Sequence, residues 1–198
     1  MPKKLPPGRH NLTRAQVAAD QRGRMIVALG EAMATKGYAS TTVADIIDGA
    51  RVSKQTFYQF YDSKQACFMD AFARIHERLD YSSSTLPPGA SALDTVEAVL
   101  AKYLETLADN AAMARLYLIE VYAAGPDALQ ARIDLQQDTV AKFAALMDAN
   151  TDEGRFACRA LVAAISSLVT HELVTTGPDG VRGLHAPLMA LTRSLFAA

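Results

Sequence analysis

The sequence has no tryptophan and, in 198 residues, only two cysteines and four histidines. It also lacks any sustained period-two alternation of apolar and polar residues. Cys67 and Cys158 stand in apolar helical contexts with no Cys-x-x-Cys or Cys/His spacing, so neither a disulfide framework nor a metal site is expected. His171-Glu172 begins like the H-E-x-x-H metalloprotease motif, but Thr175 stands where the second histidine is required. No P-loop, no G-x-G-x-x-G and no G-x-S-x-G occurs. The expectation is therefore a protein without catalytic residues or cofactor. The longest nearly apolar run, residues 160–169, is too short to cross a bilayer and contains Ser166 and Ser167. Lys3 and Lys4 are followed by Leu5, Pro6, Pro7 and Gly8 rather than by an apolar stretch, so no secretory signal, no membrane association and a cytoplasmic location are expected.

What is present is helical periodicity on a chain that is half apolar. Thr13 with Gln16 forms a capping-box pattern opening a helix that carries Met25, Ile26, Leu29 and Met33 on one stripe and ends at Gly37. Thr41-Thr42 opens a second helix, with Val43, Ile46, Ile47 and Ala50 at helical spacing and Asp45 placed to reach back to the free amides. Arg51-Val52 interrupts, and Ser53 caps a third helix that ends near Tyr61. Asp62 with Gln65 looks like the start of a fourth, reaching about Ser82. The linker is Ser82 to Ser91, and helices are expected at about 92–109, 111–124, 127–149, 152–176 and 183–197. The fold class is all-α, about nine helices: a three-helix head on a larger C-terminal helical bundle. The expected divisions are a flexible basic arm (1–12), a helix-turn-helix domain (13–64) and a ligand-binding and dimerisation domain (65–198).

Charge divides in the same way. Residues 1–64 carry ten Lys/Arg against five Asp/Glu, whereas the remainder carries ten against sixteen. A basic end on an acidic body suits contact between the first third and a polyanion. Burial of Val43, Ile46 and Ile47 on the second helix, and of Phe57 and Tyr61 on the third, would leave Lys54, Gln55, Tyr58 and Gln59 outward. A cation, two amides and a phenol suit base edges and phosphates in the major groove.

The segments KGYASTTVADII (36–47) and VSKQTFYQFYDSKQACFMDAF (52–72) carry a specific pattern. It runs from a Thr pair opening a helix, through a Val-Ser turn and a Thr-aromatic-Tyr core, to an aromatic before Asp-Ser-Lys. Residues 22–72 thereby resemble the DNA-binding head of the tetracycline-repressor (TetR) family. The resemblance implies that Thr41, Thr42, Ser53, Lys54, Gln55, Thr56, Tyr58 and Lys64 stand where relatives contact DNA. Tyr58 and Lys64 would hold phosphates, and Lys54 and Gln55 would read bases. Two positions depart from the pattern: Arg51 occupies a turn position where relatives usually have Gly, and Phe60 one where they often have His.

Beyond the linker the likeness is one of size and helical layout. Tyr103, Leu107, Met113, Leu116, Tyr117, Phe143, Met147, Leu168 and His171 are the candidate lining of a cavity for an apolar or aromatic small-molecule effector. The small residues Ala157, Ala160, Ala163, Ala164 and Ser167, with the stripe Leu184, Leu188, Leu191, Leu195 and Phe196, make residues 152–198 the candidate homodimer surface. The reading is a ligand-released repressor that binds a palindromic operator in double-stranded DNA as a dimer. The alternative is a helical small-molecule-binding protein whose head no longer binds DNA.

Overall fold

Hydroxyl side chains start most of the longer helices, by accepting bonds from amides that no helical carbonyl can reach. The computed structural model of the chain describes residues 13–79 and 89–196. Among those residues it holds ten α-helices and one short 3-10 turn, and no strand. The basic arm (residues 1–12, with Lys3, Lys4 and Arg9) and linker residues 82–88 lie outside the described part. Two compact units, Met1–Arg74 and Ile75–Ala198, divide within the fourth helix.

In the first unit, α1 (Arg14–Ser40) opens with the reciprocal box between Thr13 and Gln16, at 3.2 and 2.8 Å. Gly37 breaks its helical path at φ 75°, a conformation that favours glycine. α2 (Val43–Ala50) opens on Thr42, whose hydroxyl donates to Asp45 Oδ2 at 2.6 Å and accepts from the Asp45 amide at 3.3 Å. α3 (Lys54–Phe60) opens on Ser53. α4 (Lys64–Leu79) is capped by Ser63, whose Oγ accepts from the Ala66 amide at 3.1 Å. The cap is therefore one residue later than Asp62, where the sequence pattern had placed it.

The core of this unit joins Met25, Leu29 and Met33 of α1 with Ile46 of α2, Phe57 of α3 and Cys67 and Phe68 of α4, none more than 1 % exposed. α1 and α2 cross closely, since a Cβ added at Gly49 would lie 3.0 Å from the Ala28 Cβ. α2 ends on Arg51 in the left-handed conformation (φ 53°, ψ 47°), the geometry that the usual glycine would serve. The Arg24 guanidinium reaches across from α1 to the carbonyls of Ala50 and Arg51, which closes the end of α2.

Polar contacts hold three helices at one carboxylate. Asp70 of α4 accepts from Arg22 Nε and Nη2 of α1 at 2.8 and 2.6 Å, from the Tyr61 hydroxyl just after α3 at 2.6 Å, and from Arg74 Nε at 3.3 Å. Burial opposes ionisation of Asp70, but the bonds from Tyr61 and Arg22 and the charges of Arg74 and Arg22 outweigh it, so the carboxyl titrates below its ordinary value.

In the second unit, α5 (Ala92–Asp109) opens on the Ser91–Asp94 box. The single helix expected over 111–124 is broken: α6 (Ala111–Leu118) gives way to a 3-10 turn at Glu120–Tyr122. Gly125 (φ 102°) and Pro126 then start α7 (Pro126–Leu146), which ends three residues before the expected position. α8 (Asp152–Thr175) follows. The stretch read as a break at 177–180 contains a further short helix, α9 (Pro178–Gly183), with Pro178 in its first turn. Arg182 fastens α9 to α5 through Glu105 at 3.2 Å and Asp109 at 2.7 Å. α10 (His185–Phe196) completes the chain's helices.

α8 has two apolar faces. Cys158, Leu161, Val169 and Leu173 are buried, while Phe156, Ala160, Ala163, Leu168 and Val174 are exposed. That composition (mean hydropathy 1.4) makes α8 long and apolar enough to cross a membrane by length and composition alone, although its uninterrupted apolar run is short. On α10, Leu184 (preceding it), Leu188 and Met189 face inward and Leu191 and Leu195 outward.

Two measurements of stability check this account. Asp70→Asn is expected to lower unfolding free energy at neutral pH by about 1.5–3 kcal/mol, the cost of weakening charge-assisted bonds at a largely buried site. Because the folded carboxyl titrates below its unfolded value of about 3.9, its stabilisation is complete above that pH and is lost as pH falls through the folded value. Urea titrations of the two proteins should therefore converge in acid. Arg51→Gly should raise stability by roughly 0.5–1 kcal/mol, because relief of the left-handed strain exceeds glycine's added freedom in the unfolded chain. An unchanged urea midpoint would show that Arg51 is not strained.

Candidate nucleic-acid interface and effector cavity

The Ser53 cap sets the first turn of α3: its Oγ accepts from the Thr56 amide at 3.0 Å and bonds the Thr56 hydroxyl at 2.9 Å. Phe57 is fully buried and Tyr61 nearly so, and this fixes which face of α3 points outward. Lys54, Gln55, Tyr58 and Gln59 are exposed together on that face. Tyr58 keeps 47 % of its surface free while its ring rests against the edge of Phe57, centroids 5.4 Å apart. The outward face thus presents one cation, two amides and one hydroxyl with no competing carboxylate on α3 itself.

Thr42 is exposed at the start of α2 beside Asp45, which Lys36 also holds at 2.7 Å. The Lys36 bond and the Thr42 bonds drive the Asp45 carboxyl well below the usual carboxylate range. Thr41 and Lys64 are placed differently from their expected role. Thr41 is 2 % exposed and its hydroxyl donates to the Gly37 carbonyl at 2.8 Å. Lys64 Nζ donates to the carbonyls of Tyr38 and Thr41 at 2.6 and 2.8 Å and lies 3.9 Å from the centre of the Tyr38 ring. Both side chains serve the end of α1, whose last carbonyls need donors. Arg24 was missed because an arginine opposite Asp20 on α1 reads as a solvated pair, which it also makes at 3.0 Å.

The second unit contains a cavity of about 420 Å³, within the range of sites for drug-sized ligands. Its walls come from the end of α4 (His76, Leu79), α5 (Val96, Leu100, Tyr103), α6 (Tyr117), α7 (Arg132, Leu135, Thr139, Phe143) and α8 (Leu161, Ile165, Ser166). Of the nine candidates from sequence, Tyr103, Tyr117 and Phe143 line it. Leu107 and Leu116 are buried in the helical core, Met113 and Met147 are half-buried elsewhere, and Leu168 and His171 lie on the exposed face of α8. Burial pushes the Tyr117 phenol up to about 12 against the opposing charge of Arg132. Arg132 escaped the sequence reading because charge marks a residue as surface. The signal available was its place on α7, where it falls in helical register with the buried Ala128 and the half-buried Leu135.

Comparison with known proteins agrees with this arrangement. Residues 26–71 match the family model for bacterial regulatory proteins of the tetR family. The HTH-type transcriptional regulator EthR of Mycobacterium tuberculosis is 27 % identical over 175 residues, covering 86 % of this chain and 76 % of EthR. A tetR-family regulatory protein from Rhodococcus RHA1 shares the fold at a TM-score of 0.73 and 21 % identity, covering 89 % of this chain and 96 % of its own. The transcriptional regulator FadR of Bacillus subtilis, whose structure holds stearoyl-CoA, superposes at 0.69 with 17 % identity over 88 % and 97 % of the two chains. The head pattern at residues 26–71 thus matches the tetR family of bacterial regulatory proteins, and the described residues share the all-helical fold of these solved structures.

Proposed function

We propose that the protein is a ligand-released repressor that grips a palindromic operator as a homodimer, with α3 of each subunit in a major groove. The observation that carries this reading is the exposed set Lys54, Gln55, Tyr58 and Gln59 on one face of a capped and anchored helix. In this reading Gln55 pairs with a base edge, Lys54 with a base or phosphate, and Tyr58, Ser53, Thr56 and Thr42 with phosphates that fix the register. Thr41 and Lys64 act indirectly, by holding the end of α1 against the start of α2.

Residues 13–64 are the DNA-binding part in this proposal and residues 65–198 the effector-binding and dimerisation part. The cavity suits an apolar effector, and His76 and Leu79 on its wall belong to the same helix as Cys67 and Phe68 of the head core. An effector that displaces the end of α4 would move the head with it, since α4 is one continuous helix. A hundredfold preference for the released state supplies about 2.7 kcal/mol per site. The outward apolar faces of α8 and α10 are the proposed dimer contact, with Phe156, Leu168, Val174, Leu191 and Leu195 as its larger side chains.

Fluorescence anisotropy with DNA from immediately upstream of the protein's own gene, against a shuffled fragment, tests the reading. Tight and salt-sensitive binding should favour the native fragment by roughly a thousandfold. Equal weak binding to both would leave the head without an operator there. Gln55→Ala should lose about 1–3 kcal/mol of discrimination at one or two base positions, and Tyr58→Phe should weaken every sequence alike. Equal losses for Gln55→Ala on native and shuffled DNA would remove it from base reading. Sedimentation velocity should find a dimer that Leu168→Glu or Leu195→Glu converts to monomer. A dimer that withstands both substitutions would place the interface elsewhere.

A further inference from the structure

Arg132 is 5 % exposed, a depth at which a permanent cation requires compensation. The compensation observed consists of neutral groups. Nε donates to the Tyr122 hydroxyl at 3.2 Å, Nη1 to the Tyr117 carbonyl at 3.4 Å and Nη2 to Ser166 Oγ at 2.7 Å. The rings of Tyr117 and Tyr122 lie 5.9 and 5.4 Å from the guanidinium carbon. Among the described residues no carboxylate pairs with it. A guanidinium has five N–H donors, and these bonds engage one on each nitrogen, so one remains on each terminal nitrogen.

The same side chain lines the 420 Å³ cavity, whose walls are otherwise largely apolar, with Val96, Leu100, Phe143 and Leu161 among them. The other charged pair on the wall, Asp138 and Lys142, is half exposed and bonded to itself at 2.9 Å. One buried cation therefore faces the cavity with donors to spare and no counter-charge. We propose that the cavity takes an amphipathic monocarboxylate, with its carboxylate on Arg132 and its hydrocarbon body along the apolar walls. A flat, singly charged anion matches both the two remaining donors and the single unneutralised charge. A doubly charged phosphate would bring one more charge than Arg132 balances. The inference rests on the reading of the cavity as the effector site and adds the chemistry of the effector.

Isothermal titration calorimetry on the full chain tests it without DNA. The probes are octanoic, decanoic, dodecanoic and naphthalenecarboxylic acids, each paired with its primary alcohol. At least one acid should bind about ten- to a hundredfold tighter than its own alcohol, the worth of bonds to a charged group. Arg132→Met should abolish or invert that preference, and Arg132→Lys should weaken the acid while leaving the alcohol unchanged. Circular dichroism and thermal unfolding identify a variant that fails to fold, and the acid–alcohol comparison on the unmodified protein then decides. Alcohols that bind as tightly as their acids would overturn the carboxylate while keeping an apolar effector cavity. No binding by any probe would overturn the carboxylate and the effector cavity together, with operator binding still judged separately by anisotropy. A preference for the acid that persists in folded Arg132→Met would overturn the role of Arg132.

Discussion

Asp70 receives bonds from α1, from α4 and from the residue that ends α3, and the orientation of the outward face of α3 depends on that meeting point. A helix of seven residues has little stability of its own. Its direction is set at two anchors, Phe57 in the apolar core and Tyr61 on the Asp70 carboxylate. Burial and the bond to Asp70 raise the Tyr61 phenol well above its ordinary titration range, so this anchor stays a donor throughout physiological pH. The apolar anchor supplies depth and the polar one direction. Together they let a short, polar surface helix hold a fixed face.

The parts of the fold most legible in the sequence are those written in local chemistry. Thr13 with Gln16 and Thr42 with Asp45 are capping pairs that depend only on residues three apart. Gly37 breaks α1 for an equally local reason. Misreadings arose where tertiary contacts decide. Nothing local in 111–124 announces that the helix breaks after Leu118, and α9 forms in a Gly-Pro-Asp-Gly stretch that Arg182 fastens to acids on α5. The resemblance puts Thr41 and Lys64 among the DNA contacts; in the fold the Thr41 hydroxyl bonds the carbonyl four residues before it, and the Lys64 ammonium bonds carbonyls that are distant in sequence.

The cavity shows the same limit more sharply. Aromatic and apolar residues on several helices are equally eligible to line it, and composition cannot separate Phe143, which does, from Leu107, which packs in the core. The polar residue that gives the cavity its character is an arginine on a helix rich in exposed charge. Cations in this protein thus take several different tasks: Arg24 closes the end of α2, Lys64 serves the end of α1, Arg22 holds Asp70, and Arg132 enters a cavity wall. Only the last faces space large enough for a guest.

Burial also governs the two cysteines. Cys67 and Cys158 are fully enclosed; burial pushes the Cys67 thiol up to about 12 and raises that of Cys158. Since the thiolate is the reacting form, neither competes for an alkylating dye or spin label in the folded protein. A cysteine introduced on the exposed face of α3 would therefore be the sole reactive thiol per chain. In the proposed dimer, two such labels would turn the separation of the two α3 helices into a distance readable in solution, with native thiols left in place.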